Sequence, residues 1–145
     1  MLITKEIEID MAHRVPNHKS KCRNLHGHRY KIEVGVDDKK IQDAGSSSEG
    51  MVIDFSDLKE VMMEELDAVY DHNAVFFKGD PTRALIEELV IYQNKPIQFV
   101  EFIPTAENLA QWWFICMQAP LANRGVKIKH VKVWETPSST AIYTA

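Results

Sequence analysis

The most informative stretch of this sequence, for both fold and function, is Cys22-Arg-Asn-Leu-His26-Gly-His28-Arg-Tyr-Lys-Ile-Glu-Val-Gly-Val-Asp37. From His28 to Asp37 apolar and polar residues alternate, which predicts a strand with one buried face. His26 and His28 share the parity of that apolar face, because side chains alternate along a strand. We therefore expect both imidazoles to project toward the packed side of a sheet.

The rest of the chain predicts three further strands and three helices. The strands are expected over residues 2–12, 126–135 and 140–145. The helices are expected from an N-cap at Ser56 to about Tyr70, over residues 81–92, and onward from an N-cap at Thr105. This order predicts an α+β domain, a four-stranded antiparallel sheet with helices on one face. A chain of 145 residues is expected to form one domain, 1–145.

Composition excludes several classes of protein. The net charge of −4 argues against a nucleic-acid partner, and no apolar run is long enough to suggest a membrane partner. The N-terminal residues alternate apolar and charged types and do not resemble a signal peptide. Only two cysteines are present, so the reducing cytoplasm is the expected location. Four strands would leave two open sheet edges, which favours a homo-oligomer.

A third histidine, His13, lies at the end of the preceding strand and would complete a three-nitrogen site with His26 and His28. Three histidines without a fourth protein ligand are typical of a catalytic Zn²⁺ site with an open position. Cys22 lies among basic residues near these histidines, where a thiol becomes more nucleophilic or more basic. Taken singly, any one of the six histidines is more often a surface or packing residue than a ligand, and we expect that role for His18 and His130, which no spacing singles out.

Two carboxylate motifs could also carry chemistry. Asp71 and His72 lie at the end of the first long helix. They could simply be charged residues at a helix C-terminus, or they could form a pair in which the carboxylate orients the imidazole and raises its basicity for proton transfer. Glu135 lies at the end of the third strand. It could be a solvated turn residue, or it could accept two parallel hydrogen bonds from a planar pair of N–H groups.

Six motifs follow one another in an order that resembles the 6-pyruvoyl-tetrahydropterin synthase family, from His13 to Tyr143. The three residues between Cys22 and His26 are similar to the 6-carboxytetrahydropterin synthase branch. The motifs are His13, Cys22-x-x-x-His26-Gly-His28, Asp54-Phe55 with Leu58-Lys59, Asp71-His72, Pro104-Thr105-Ala106-Glu107-Asn108 and Trp134-Glu135-Thr136-Pro137.

The resemblance implies a tunnelling fold (T-fold), assembled through trimers into a hexamer with sites between subunits. It implies that 7,8-dihydroneopterin triphosphate is converted to 6-carboxytetrahydropterin, acetaldehyde and triphosphate, in queuosine and 7-deazapurine biosynthesis. By position, the zinc ligands would be His13, His26 and His28. Cys22 would be the acid-base thiol, with Asp71 and His72 as its proton relay. Glu135 would anchor the pterin, with Thr105 lining the same pocket.

Two other functions remain open at this point. A sibling enzyme would yield the 6-pyruvoyl product or only cleave the side chain of the same pterin. A zinc-stabilised oligomer that merely binds pterin would need neither the thiol nor the Asp-His pair. The chain also departs from the family between His72 and Pro104, where a longer segment with an extra helix is expected.

Overall fold

The computed structural model of the protein describes residues 1–38 and 41–145, and a long antiparallel hairpin is its centre. Strand β1 (Leu2–His13) pairs with β2 (His26–Asp37) over the full length of both strands. The alternation in β2 is confirmed, because Tyr30, Ile32 and Val34 are fully buried. The hairpin therefore carries one apolar face into the core.

The described residues form a sheet of six strands, in the order β4-β3-β1-β2-β5-β6. The four predicted strands are present, with β5 at Lys127–Thr136 and β6 at Ser139–Thr144. The prediction of a four-stranded, wholly antiparallel sheet missed β3 (Asn73–Phe77) and β4 (Gln98–Val100), which add in parallel beside the end of β1. Strands of this length are too short for periodicity to separate them from a loop.

The first long helix is built from three consecutive pieces. Helix α1 (Phe55–Met62) continues through a π-helical turn (Met63–Asp67) into α2 (Ala68–Tyr70). Its N-cap is Asp54 rather than the predicted Ser56, because an Asp54 carboxylate oxygen accepts a hydrogen bond from the Ser56 N–H at 2.7 Å. Capping by the residue before the helix leaves Ser56 inside the first turn.

Helix α4 (Ala106–Asn123) begins where the sequence predicts, with Thr105 as its N-cap. The Thr105 hydroxyl accepts from the Asn108 N–H, and Trp113 is fully buried against the sheet. Helices α1 and α4 cover the same face as the apolar side of β2.

Helix α3 (Arg83–Val90) packs on the opposite face of the sheet, over β3 and β4. It forms a small second core with Phe76 and Ile97 around Ile86. This helix belongs to the long segment that separates His72 from Pro104, so that segment carries its own apolar cluster. Within the described ranges, no helix is long and apolar enough to cross a membrane.

Candidate active site

Three imidazoles meet at the end of the central hairpin, as the sequence predicts. His13 pairs directly with His26 in the β1–β2 ladder, and His28 follows two residues later on the same face. One ring nitrogen from each of the three lies within 4.8 Å of the other two. The ring centroids of His13 and His26 are 4.6 Å apart, and those of His26 and His28 are 5.0 Å apart. This group could hold a metal ion.

Backbone carbonyls orient two of these rings. Nδ1 of His13 lies 2.7 Å from the Pro104 carbonyl oxygen, and Nδ1 of His26 lies 2.8 Å from the Asn24 carbonyl oxygen. A carbonyl only accepts, so each Nδ1 carries the hydrogen and each Nε2 presents its lone pair. Metal-binding histidines are commonly held by such hydrogen bonds.

The third ring supplies a direct test of metal binding. Nε2 of His28 is buried and lacks a hydrogen-bond partner among the described residues. A buried polar atom without a partner is costly, and coordination of a cation would satisfy it. The donor set of three imidazole nitrogens fits Zn²⁺ with one open position.

Gly27 lets the two strands approach between the ligands. A Cβ at this position would lie only 2.9 Å from the Met11 carbonyl oxygen of the neighbouring strand. The pairing that brings His13 opposite His26 is therefore compatible with glycine and crowded for other residues.

Burial favours the neutral form of two of the three imidazoles, those of His13 and His28. Burial lowers the pKa of His13, and the neighbouring His26 lowers it further. The hydrogen bond to the Pro104 carbonyl acts in the opposite direction but does not outweigh burial. Burial also lowers the pKa of His28. The Tyr30 hydroxyl lies 3.3 Å from Nε2 of His13 and donates to a Glu135 carboxylate oxygen at 3.4 Å. Neutral imidazole is the form that binds metals.

A cleft of about 290 Å³ opens beside His13, one of the three histidines. It brings together four of the predicted site residues, namely His13, Cys22, Thr105 and Glu135. Cys22 reaches the cleft from the loop between β1 and β2, while Thr105 comes from the start of α4. A thiol, a hydroxyl and a carboxylate thus share one cavity with a metal-binding group.

Asp71 and His72 lie elsewhere in the same chain. The Asp71 carboxylate accepts from the Asp10 N–H at 2.8 Å and contacts Nδ1 of His72 at 2.6 Å. Burial acts in the opposite direction, but the hydrogen bonds from Asp10 and His72 hold the pKa of Asp71 below its ordinary value.

His72 has a positive φ of 53° and a largely exposed side chain. It lines an open cleft with Asp10, Gly27 and His28. Neither Asp71 nor His72 lines the Cys22 cleft of its own chain.

The site contains contributors that sequence reasoning missed. Tyr30 has the same parity as His26 and His28, so the alternation of β2 could have identified it. The Pro104 carbonyl lies 91 residues from His13 in the chain, and no local pattern signals that contact. His18, which the sequence leaves as a surface or packing residue, also lines the Cys22 cleft.

The chain is similar to known proteins over nearly its whole length. Residues 2–145 match a family model described as 6-pyruvoyl tetrahydropterin synthase. A 6-carboxy-5,6,7,8-tetrahydropterin synthase of Haemophilus influenzae is 33% identical, covering 97% of this chain and 96% of the relative. A Synechocystis protein of the same name is 34% identical, covering 98% and 92%.

Solved structures show the same fold. An uncharacterized protein from Wolinella succinogenes superposes with a TM-score of 0.80 at 24% identity, covering 99% of this chain and 97% of that one. The 6-pyruvoyl tetrahydropterin synthase of Plasmodium vivax superposes with a TM-score of 0.66 at 18% identity, covering 100% and 98%. The predicted T-fold is confirmed by these neighbours.

Proposed function

The chain belongs to the 6-pyruvoyl tetrahydropterin synthase family, and we propose that it is a zinc-dependent 6-carboxy-5,6,7,8-tetrahydropterin synthase. Its substrate would be 7,8-dihydroneopterin triphosphate, and its products 6-carboxytetrahydropterin, acetaldehyde and triphosphate. The observation that best supports this proposal is that His13, Cys22 and Glu135 line one cleft. His13 also belongs to the group of three histidines whose ring nitrogens lie close together. The names of the bacterial relatives support the choice of product.

His13, His26 and His28 would hold the zinc ion. When bound, Zn²⁺ would act as a Lewis acid on side-chain oxygens of the substrate and make the adjacent C–H protons more acidic. Glu135 would accept two parallel hydrogen bonds from the N–H groups of the pterin ring. Thr105, which lines the same cleft, would contribute to the pterin pocket. Cys22 would move a proton at the side-chain carbons.

The Asp71-His72 pair would act across a subunit boundary. His72 is exposed and lines a different cleft from Cys22 of its own chain, so a neighbouring copy would have to bring the two together. Strand β6 is an edge of the described sheet, and such edges favour assembly. We propose a homo-oligomer, a hexamer built as a dimer of trimers, with sites shared between copies.

The reaction would need no nicotinamide or flavin, because oxidation of the side chain is balanced by reduction of the pterin ring. The new carboxylate takes one oxygen from the substrate side chain and one from a water molecule. This chemistry would place the protein in queuosine and 7-deazapurine biosynthesis in the cytoplasm.

Product analysis tests the proposal. Zinc-loaded protein is incubated with 7,8-dihydroneopterin triphosphate, and acetaldehyde and 6-carboxytetrahydropterin are measured by derivatisation and mass spectrometry. We expect both products in equal amounts. A 6-pyruvoyl product without acetaldehyde would identify the sibling reaction, and pterin binding without turnover would identify a non-catalytic binder.

The two cysteines provide a matched pair of variants. Cys22→Ala should reduce turnover by about 10²-fold or more, the usual effect of losing a positioned acid or base. Cys116→Ala should leave turnover unchanged, because Cys116 lies on α4 outside the cleft and burial raises its thiol pKa to about 11. Equal turnover by Cys22→Ala and the parent protein would overturn the acid-base role.

A further inference from the structure

A buried ion pair joins the long segment between His72 and Pro104 to the end of strand β1. Asp80 is the one carboxylate residue that lies in the interior of the described part of the chain, and its side chain is inaccessible to solvent. Its Oδ2 lies 3.0 Å from Nε of Arg14, the residue that follows the proposed ligand His13. Neither atom has a hydrogen bond to another group among the described residues, so each charge is compensated by the other.

The two oxygens of Asp80 make different interactions. Oδ1 accepts from the Thr82 N–H at 2.8 Å and from the Thr82 hydroxyl at 2.6 Å, which forms an Asx turn just before α3 begins at Arg83. Oδ2 contacts Arg14, whose Nη1 also lies 3.4 Å from the Thr82 hydroxyl. The turn therefore accounts for only one oxygen, and the pairing with Arg14 is a separate interaction.

The carboxylate belongs to residues 73–100, which comprise β3, α3 and β4 and which we call the α3 segment. Strand β3 pairs in parallel with the end of β1, where His13 lies opposite Val75. The Asp80 N–H donates to the Phe77 carbonyl oxygen at 3.0 Å, which closes the turn that follows β3. Because this segment has an apolar core of its own, a side chain bound to Asp80 is held by a packed part of the fold.

Arg14 lies where the chain leaves the sheet, and both of its neighbours belong to the site. His13 precedes it, and Val15 follows it and lines the Cys22 cleft. The Val15 N–H donates to the Cys22 carbonyl oxygen at 2.9 Å, which ties the thiol-bearing residue to the base of the loop. An anchor on Arg14 thus restrains the backbone of a proposed metal ligand on one side and that of Cys22 on the other.

Stability alone gives little reason to bury such a pair. Two charges are costly to remove from water, and apolar side chains of similar volume often serve at least as well. What an ion pair can add is a defined geometry, because the guanidinium and the carboxylate must meet at fixed positions. Catalytic groups need to be placed within about 0.5 Å, so a loop that bears one gains from an anchor in a packed part of the fold.

We propose that Arg14 and Asp80 are a positioning pair, through which the α3 segment fixes the base of the loop after β1 and so sets the placement of Cys22 relative to His13. This inference rests on the proposed function, because that function gives Cys22 its role. Neither Arg14 nor Asp80 lines the Cys22 cleft. Both act through the backbone on either side of Arg14.

Asp80→Asn is the direct test. The amide has one acceptor oxygen in place of two, so it can keep the bond from Thr82 but not the charge that holds Arg14. The rate of Cys22 alkylation by iodoacetamide is followed by peptide mass spectrometry, with and without zinc. Cys116 in the same molecule is the reference for general opening, because burial raises its thiol pKa to about 11 and slows its reaction in the folded protein.

We expect Cys22 to react about threefold faster or more in Asp80→Asn, with Cys116 unchanged, because the base of the loop is no longer held. The Kd for zinc, measured by competition with a chelator, should rise about threefold or more, because the backbone of His13 is also released. In active enzyme the kcat for 7,8-dihydroneopterin triphosphate should fall with little change in KM, since neither residue of the pair lines the cleft.

Three further variants separate positioning from stability. Glu87→Gln removes the carboxylate of the exposed Arg83–Glu87 pair on α3 and should leave both readouts within about twofold of the parent protein. Arg14→Met combined with Asp80→Asn leaves no unpaired charge in the interior, so its urea midpoint should lie close to that of the parent while Cys22 still reacts faster. Arg14→Lys keeps the charge, so its Cys22 rate should lie between those of the parent and Asp80→Asn.

Parent-like Cys22 rates and zinc affinities in both Asp80→Asn and the double variant would overturn the positioning pair, whatever their stability. Acceleration of Cys22 and Cys116 by the same factor in both variants would also overturn it, because the pair would then only stabilise the fold. A change confined to Cys22 in a protein that does not turn over the pterin would support the pair and count against the proposed function alone.

Discussion

His13 and His26 lie directly opposite each other in the β1–β2 ladder, and their rings face the same side of the sheet at a centroid distance of 4.6 Å. The ligand set thus depends on the pairing register of one hairpin. A slip by one residue would move one ring to the opposite face. The apolar alternation of β2 opposes such a slip, because it would also expose Tyr30 and Ile32, which are fully buried.

Metal binding should stabilise the fold. The three neutral ring nitrogens bind an ion only when the hairpin is formed, so the ion shifts the equilibrium toward the native state. At free zinc about 100-fold above Kd, we expect the free energy of unfolding to rise by about 2.7 kcal/mol, measured by urea unfolding with and without chelator.

The same experiment has a matched pair of histidine variants. The His26→Ala, His28→Ala double variant should bind no zinc, and chelator should no longer change its free energy of unfolding. His72→Ala should still bind zinc and still respond to chelator, because His72 is not a member of the three-histidine group. Zinc retained at equal stoichiometry by the double variant would refute the metal assignment.

The metal-free protein should lose stability in mild acid. Burial holds the pKa values of His13 and His28 below the ordinary value of 6.5. As the pH falls through about 6.5 the unfolded chain takes up protons that the folded chain does not, so the unfolded state gains stability. We expect the free energy of unfolding to be at its full value above that pH and to fall below it. Urea midpoints across this range, compared with those of His28→Gln, should show a shallower dependence in the variant.

Gly35→Ala should destabilise the sheet through one contact. A Cβ at Gly35 would lie 2.1 Å from Cε1 of His130, whose Nε2 contacts a Glu33 oxygen at 2.8 Å. The ring must move away and give up that contact, for an expected loss of about 1–3 kcal/mol in the free energy of unfolding. Gly35→Ala should cost less stability in the His130→Ala background than in the parent protein, because the ring that crowds the new Cβ is then absent. Additive losses in this double-mutant cycle would contradict the contact.

Thr105→Ala should separate a structural from a binding contribution. Loss of the N-cap of α4 should lower the free energy of unfolding by about 1 kcal/mol, while Thr105→Ser should retain the cap. If Thr105 also contacts the pterin, the KM should rise in Thr105→Ala beyond any loss of folded protein. An unchanged KM would restrict this residue to capping.

Sequence reasoning succeeds where the information is local. The three proposed ligands lie on one hairpin, so period-two alternation and antiparallel pairing suffice to bring His13, His26 and His28 together. The capping pattern at Thr105 likewise places the start of α4 correctly. Both predictions depend on residues that are close in the chain.

The prediction of a four-stranded sheet failed because the added strands depend on distant partners. Strand β4 has three residues and exists because β3 offers an edge, which no pattern within residues 98–100 reveals. The Asp71-His72 motif is recognisable in the sequence, but the position of His72 in the fold also depends on its positive φ and on a backbone hydrogen bond to Asp10. Tertiary context sets both features.

Residues 14–25 lie between two proposed ligands, and this position has a consequence for chain entropy. An ion held by His13 and His26 closes residues 14–25 into a ring, as a covalent cross-link would. Removal of the ion would release configurational freedom in the native loop. Proteolytic nicking within residues 14–25 is therefore a physical measure of whether the ring is closed.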